Sequence, residues 1–210
     1  MADVNQKSSA KVPFREKRPV LFLGLMLFLF CAVAGLALGL VYENTKNLIA
    51  DKKLSVQMAA FREVLPGRDD GILLELPCPD EYAGTLKNLY YAEDYGYVMT
   101  VYGYGYKGDL IEIAVGISLE DEITGVRILS HSETPGLGSN AAKPSFLNQF
   151  TGRSALTDLV AVKDGADLDY EIDGLTGATK TTKGVVEAVN FACRYYRNFI
   201  KEVPDDGELQ

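Results

Sequence analysis

Apolar positions along the chain fall into three successive regimes: an unbroken run, a loose helical spacing, and a strict alternation that returns to helical spacing at the end. The run is PVLFLGLMLFLFCAVAGLALGLVY, residues 19–42, without a single charge. As a helix it is long enough to cross a hydrocarbon core of roughly 30 Å. A cleaved signal peptide is the competing reading, but the apolar core of such a peptide is only about 7–15 residues. Residues 43–67 keep Leu48, Val56, Ala59, Phe61 and Val64 on a helical pattern until Pro66-Gly67 stops it, which predicts a helical stalk. From Leu86 the period becomes two. Ile111, Ile113, Val115, Ile117 and Leu119 alternate with small or acidic residues, the mark of a half-buried strand. Before them Tyr102, Tyr104 and Tyr106 alternate with glycines, Lys107-Gly108-Asp109 makes a hairpin turn, and GVRILSH supplies a third strand. A Gly- and Pro-punctuated loop follows, with room for a short helix around Phe146 to Phe150; LTDLVAV and DYEI are short strand candidates. The last helix, from about Thr181 to Val203, puts Val186, Val189, Cys193, Tyr196 and Ile200 on one face. The fold class is therefore α+β: a single N-terminal transmembrane helix, then a mostly antiparallel sheet with helices packed on it.

Charge adds a direction. Residues 1–18 carry five basic side chains against two acidic ones, a net of +3, which places the N-terminus in the cytoplasm by the positive-inside tendency. The whole chain carries −8, so −11 remains beyond residue 18. That is an acidic globule on the far side of the membrane and not a nucleic-acid binder. The expected layout is a cytoplasmic N-terminus over 1–18, a span over 19–42, a stalk over 43–67, an extracytoplasmic domain over 68–203 and a flexible tail over 204–210. Three cysteines without metal-ligand spacing read as free thiols, and no metal site is expected. Phe30 before Cys31 is too bulky for lipoprotein processing.

Two glycine-rich stretches invite a nucleotide. GYGYKG, residues 103–108, matches the dinucleotide fingerprint letter for letter, yet a strand follows where a helix must. GLTGATKTT, residues 174–182, resembles a phosphate-binding loop of nucleoside triphosphatases but has Thr179 before Lys180 where glycine is required. What remains there is a strand, a small-residue turn, several hydroxyls and a helix start, whose free N–H groups and dipole suit an anion. A bland alternative makes Thr181 or Thr182 an N-cap. Capping uses one threonine and leaves Asp173 and the 176–179 turn unexplained.

DGLTGAT, residues 173–179, resembles the D-x-x-[ST]-G-A-T motif at which a flavin transferase attaches FMN through a phosphoester to the final threonine. HSETPGLGS, residues 131–139, is similar to the second hallmark of the same proteins. With a single N-terminal span, the motif order and the length, the chain resembles the RnfG family, the G subunits of Rnf ion-translocating oxidoreductases; the sister family is NqrC, from the sodium-pumping NADH:quinone reductase. Thr176 stands where serine is commoner. The resemblance implies a redox subunit with covalent FMN on Thr179, a motif of Asp173, Thr176, Gly177 and Ala178, and cofactor contacts from Glu133, Thr134, Pro135, Gly136, Leu137, Gly138, Lys180, Thr181 and Thr182. His131 is equally a flavin ligand or a structural group. The implied partners are other subunits of the complex, the transferase and membrane lipid. A stand-alone surface electron carrier is the alternative of another class, disfavoured in its haem form by the lack of C-x-x-C-H; a non-redox anchor is the third. The tyrosine ladder reads as sheet packing, with stacking on the isoalloxazine as the lesser option.

Overall fold

A computed structural model describes residues 19–66 and 73–201. The expected cytoplasmic segment and the acidic tail lie outside them. The chain divides into two compact units, Met1–Lys53 and Leu54–Gln210. The stalk expected over 43–67 straddles that division, because the first helix, α1, runs without a break over Pro19–Val64.

In the first unit, Val20–Lys46 is long and apolar enough to cross a membrane, with a mean hydropathy of 2.7. Its large side chains, Phe28 and Leu38 among them, are exposed. A helix apolar all round with its large side chains exposed has the character of a membrane-spanning segment.

The second unit is built on an antiparallel meander, β1 (Leu73–Leu76), β2 (Leu86–Ala92), β3 (Gly96–Tyr104), β4 (Leu110–Ser118) and β5 (Ile123–Ser130), in that spatial order. β1 has no alternating pattern in the sequence to announce it. β2 to β5 follow the alternation, since side chains on a strand point to opposite faces in turn. On one face Ile111, Ile113, Val115 and Ile117 of β4 join Met99 and Val101 of β3 in the main core. A half-buried strand would turn its other face to solvent, but this one is buried too: Ala92, Val98 and Ala114 pack against Phe61, Val64 and Leu65 at the end of α1. The small residues alternating with the isoleucines are thus a seat for a helix. Gly116 and Gly125 leave room for the Val64 backbone, whose carbonyl accepts a hydrogen bond from the Thr124 hydroxyl. Val56 and Ala59, which share the helical apolar pattern with Phe61 and Val64, are exposed, and burial starts at Ala60.

The main core is closed by the last helix, α3 (Thr179–Tyr195), through Val185, Val189, Ala192 and Cys193, and by a shorter one, α2 (Pro144–Leu147), through Phe146 and Leu147. α3 lies so close to β3 that a Cβ on Gly103 would stand 2.5 Å from the Gly184 carbonyl oxygen. It starts two residues earlier than expected and ends in a π-helical turn, Tyr196–Lys201. Two short strands, β6 (Val160–Val162) and β7 (Glu171–Asp173), pair in parallel and lead straight into α3. The buried Asn190 amide binds both backbone groups of Leu159, at 2.7 and 2.8 Å, and so fastens the approach to β6 onto α3. All three cysteines are free; Cys193 is buried, and burial pushes its thiol up to about 12.

Candidate flavin site

The turn from β7 to α3 is held by its own backbone. Gly174 N–H donates to Val162 O at 2.8 Å and Ala178 N–H to Leu175 O at 3.0 Å. Gly177 takes φ +76°, the left-handed conformation that favours glycine. The helix N-cap is Ala178, which has no side-chain oxygen, so no side chain caps the helix. The capping role considered for Thr181 and Thr182 is therefore not theirs. A helix start without a side-chain cap leaves first-turn N–H groups and the positive end of the dipole for an anion.

Four threonines separate into two kinds. Thr181 and Thr182 are each 1% exposed and already engaged. The Thr182 hydroxyl accepts from Leu175 N–H at 3.0 Å and donates to Ala178 O at 3.1 Å, locking the turn from within. The Thr181 hydroxyl donates to Glu133 Oε2 at 2.8 Å. Thr176 and Thr179 are exposed. Of these two, Thr179 is the first helical residue and lines a cavity of about 460 Å³ whose other walls include Tyr106, Glu133, Leu137, Gly138 and Lys180. That volume lies within the roughly 300–1,000 Å³ usual for small-molecule and cofactor sites. Thr179 also borders a second cavity of about 330 Å³, shared with Thr176, Thr182 and Lys183.

The ETPGLG loop forms the opposite wall. Glu133, Thr134, Leu137 and Gly138 line the larger cavity with Gly177, Ala178, Thr179, Lys180 and Thr181; Pro135 and Gly136 shape the bend without lining it. Gly136 has φ +79° and its N–H donates to the Ser139 hydroxyl at 2.9 Å. Leu137 is 47% exposed and adds an apolar side chain to the cavity wall. His131 serves the loop: its Nδ1 accepts from Glu133 N–H at 3.2 Å, and it does not line the cavity. Asp173 also faces away. Its carboxylate accepts from Ala166 N–H at 2.9 Å, while Gln149 binds its backbone N–H and carbonyl at 2.7 and 3.3 Å. Asp173 thus closes the loop between β6 and β7 and fixes the base of the turn.

Nothing in the sequence separates Tyr106 from the rest of the ladder, yet it is the one ladder tyrosine in the cavity wall. It is 52% exposed, and Lys107 and Lys180 each hold an ammonium 5.8 Å from its ring centroid, a cation–π arrangement. Tyr106 lies past the last residue of β3, in the connection to β4.

FMN fits these walls: an uncapped helix start with an exposed hydroxyl for the phosphate, small residues at Gly177 and Ala178 beside it, and an apolar and an aromatic side chain for a flat ring. Residues 105–194 match the FMN-binding domain family. The chain is 34% identical over 198 residues to the G subunit of the Na(+)-translocating ferredoxin:NAD(+) oxidoreductase complex of Acetobacterium woodii, covering 85% of this chain and 92% of the relative. It is 33% identical over 173 residues to the proton-translocating counterpart of Clostridium ljungdahlii, covering 82% and 89%. Its fold is shared with the C subunit of the Na(+)-translocating NADH-quinone reductase of Parabacteroides distasonis, at a TM-score of 0.50 and 23% identity over 68% of this chain and 81% of that one. The chain belongs to the RnfG family, the G subunits of ion-translocating ferredoxin:NAD(+) oxidoreductase complexes.

Proposed function

We propose that this protein is the membrane-anchored electron-transfer subunit of an ion-translocating ferredoxin:NAD(+) oxidoreductase complex, carrying FMN as a phosphoester on Thr179. The observation that carries the proposal is the sorting of hydroxyls: at the uncapped start of α3, Thr181 and Thr182 are buried and bonded, and Thr179 is exposed on the cavity. FMN supplies the redox chemistry when bound. The protein's own residues hold and orient it. The first-turn N–H groups of α3 and the Lys180 ammonium would hold the phosphate, Leu137 and Tyr106 would offer surface to the ring, and the Thr182 bonds keep the turn in shape. No general base is required of the chain. A covalent link suits a domain facing away from the cytoplasm, where a lost FMN would not be replaced. The positive flank of residues 1–18 supports that orientation, and the partners are the other subunits, the flavin transferase that loads the site and the surrounding lipid.

The test is a denaturing gel under ultraviolet light. The full chain co-expressed with an exported flavin transferase should fluoresce and stay dark without it; Thr179→Ala should be dark although folded and membrane-inserted. A fluorescent Thr179→Ala band would reject the site. For orientation, protease added to intact spheroplasts should digest the second unit, and complete protection would reverse it.

A further inference from the structure

Glu133 is 8% exposed, and each of its carboxylate oxygens accepts a hydrogen bond from a different segment. Oε1 takes the Tyr106 N–H at 2.9 Å, from the β3–β4 connection; Oε2 takes the Thr181 hydroxyl at 2.8 Å, from the first turn of α3. Both carboxylate oxygens thus serve as acceptors. The backbone is moulded around it: a Cβ on Gly105 would stand 1.8 Å from Oε1, and one on Gly138 would stand 1.9 Å from Oε2. Among the described residues no lysine, arginine or histidine forms an ion pair with it.

Packing does not require this charge, and neither do the hydrogen bonds, since a glutamine has the same shape and could serve both partners. A buried carboxylate with only neutral partners is costly to keep. What distinguishes its place is that it forms part of the cavity wall beside Thr179, together with the Tyr106 and Thr181 that it ties. A negative charge in such a wall opposes the arrival of an electron on a group held there, and low local polarity strengthens the effect.

We propose that Glu133 is a positioning residue of the flavin site: it clamps the Tyr106 segment to the first turn of α3, and its charge holds the reduction potential of the bound FMN down. The charge role rests on FMN being attached at Thr179, whereas the clamp does not. The full chain in detergent, loaded by the transferase, is therefore titrated for flavin midpoint potential, and the same chain made without transferase is followed by amide hydrogen exchange. Glu133→Gln should keep its covalent flavin and move the potential positive by at least tenfold in the reduction equilibrium, about 30 mV for a two-electron couple. Thr181→Val, which leaves the carboxylate one donor short, should move it the opposite way. In the flavin-free chain, exchange at the Tyr106 amide should quicken in Glu133→Ala and be restored in Glu133→Gln. An unchanged or more negative potential in Glu133→Gln overturns the charge role; if that variant does not fold, an unchanged or more positive potential in Thr181→Val does so. Unaltered exchange in Glu133→Ala overturns the clamp whatever the flavin does. A wild-type chain without covalent flavin overturns the placement at Thr179, and the charge role with it.

Discussion

The two ends of α3 are built on opposite plans. At its C-terminal end the polar groups are tied down: Tyr196 donates to Asp121 Oδ1 at 2.9 Å, Lys201 pairs with the same carboxylate, and Arg197 bonds Ala155 O at 3.0 Å and Asp158 at 2.7 Å. At its N-terminal end the cap has no side-chain oxygen, the turn residues are small, and an exposed hydroxyl stands on a cavity. One helix thus provides both an anchor and a site. The stability that the first turn forgoes by lacking a cap, about 1 kcal/mol, is small beside the core that α3 closes. Leaving one end open is cheap only because the rest of the helix is fixed by Asn190, the apolar face and the C-terminal ion pairs.

Three substitutions probe that contrast, in falling order of effect. Gly138→Ala forces a methyl against the Glu133 carboxylate and the Thr181 hydroxyl, 2.8 Å from the latter, and should destabilise by up to about 3 kcal/mol. Thermal unfolding should register the loss, and covalent flavin should fall sharply because the cavity wall moves. Thr182→Val keeps the shape of a buried side chain but strands the Leu175 N–H, at about 1–2 kcal/mol. Flavin loading should slow while the fold persists; undiminished loading would mean that the turn does not need its internal bonds. Asp121→Asn, at the anchored end, should leave flavin content alone and lower stability at neutral pH by less than about 1 kcal/mol, because the pair is partly solvated. The pH dependence has a definite sign. Lys201, with Tyr196 adding to it, holds the Asp121 carboxyl below its ordinary range. Its contribution is therefore complete above the unfolded value of about 4 and fades as pH drops through the lower folded value. Melting temperatures of the wild type and Asp121→Asn should converge on acidification below about pH 4. A constant gap would show that the ion pair is not the source.

Much of this contrast is legible in the sequence, though unevenly. The apolar face of α3 and the alternation of β3 and β4 are periodic, and periodicity survives in one dimension. DGLTGAT and ETPGLG are local, so their turns could be read as well. Three features could not. β4 is buried on both faces because the end of α1 covers Ala114 and Gly116, and a strand cannot announce what packs on its second side. Asp173 binds Ala166 and Glu133 binds Tyr106 and Thr181, partners 7, 27 and 48 residues away. Tyr106 enters the cavity because the strand ends two residues earlier. Motif spacing pointed to the turn before α3; only the three-dimensional arrangement distinguishes the exposed Thr179 from its bonded neighbours Thr181 and Thr182.

That distinction is tested most directly by peptide mapping of the wild-type chain after loading by the transferase. Mass spectrometry should find FMN on one peptide of the 173–183 region, with fragmentation placing the modification on Thr179 and leaving Thr176, Thr181 and Thr182 bare. Modification of the buried Thr181 or Thr182, or of Thr176, or flavin that is released on denaturation, would contradict it.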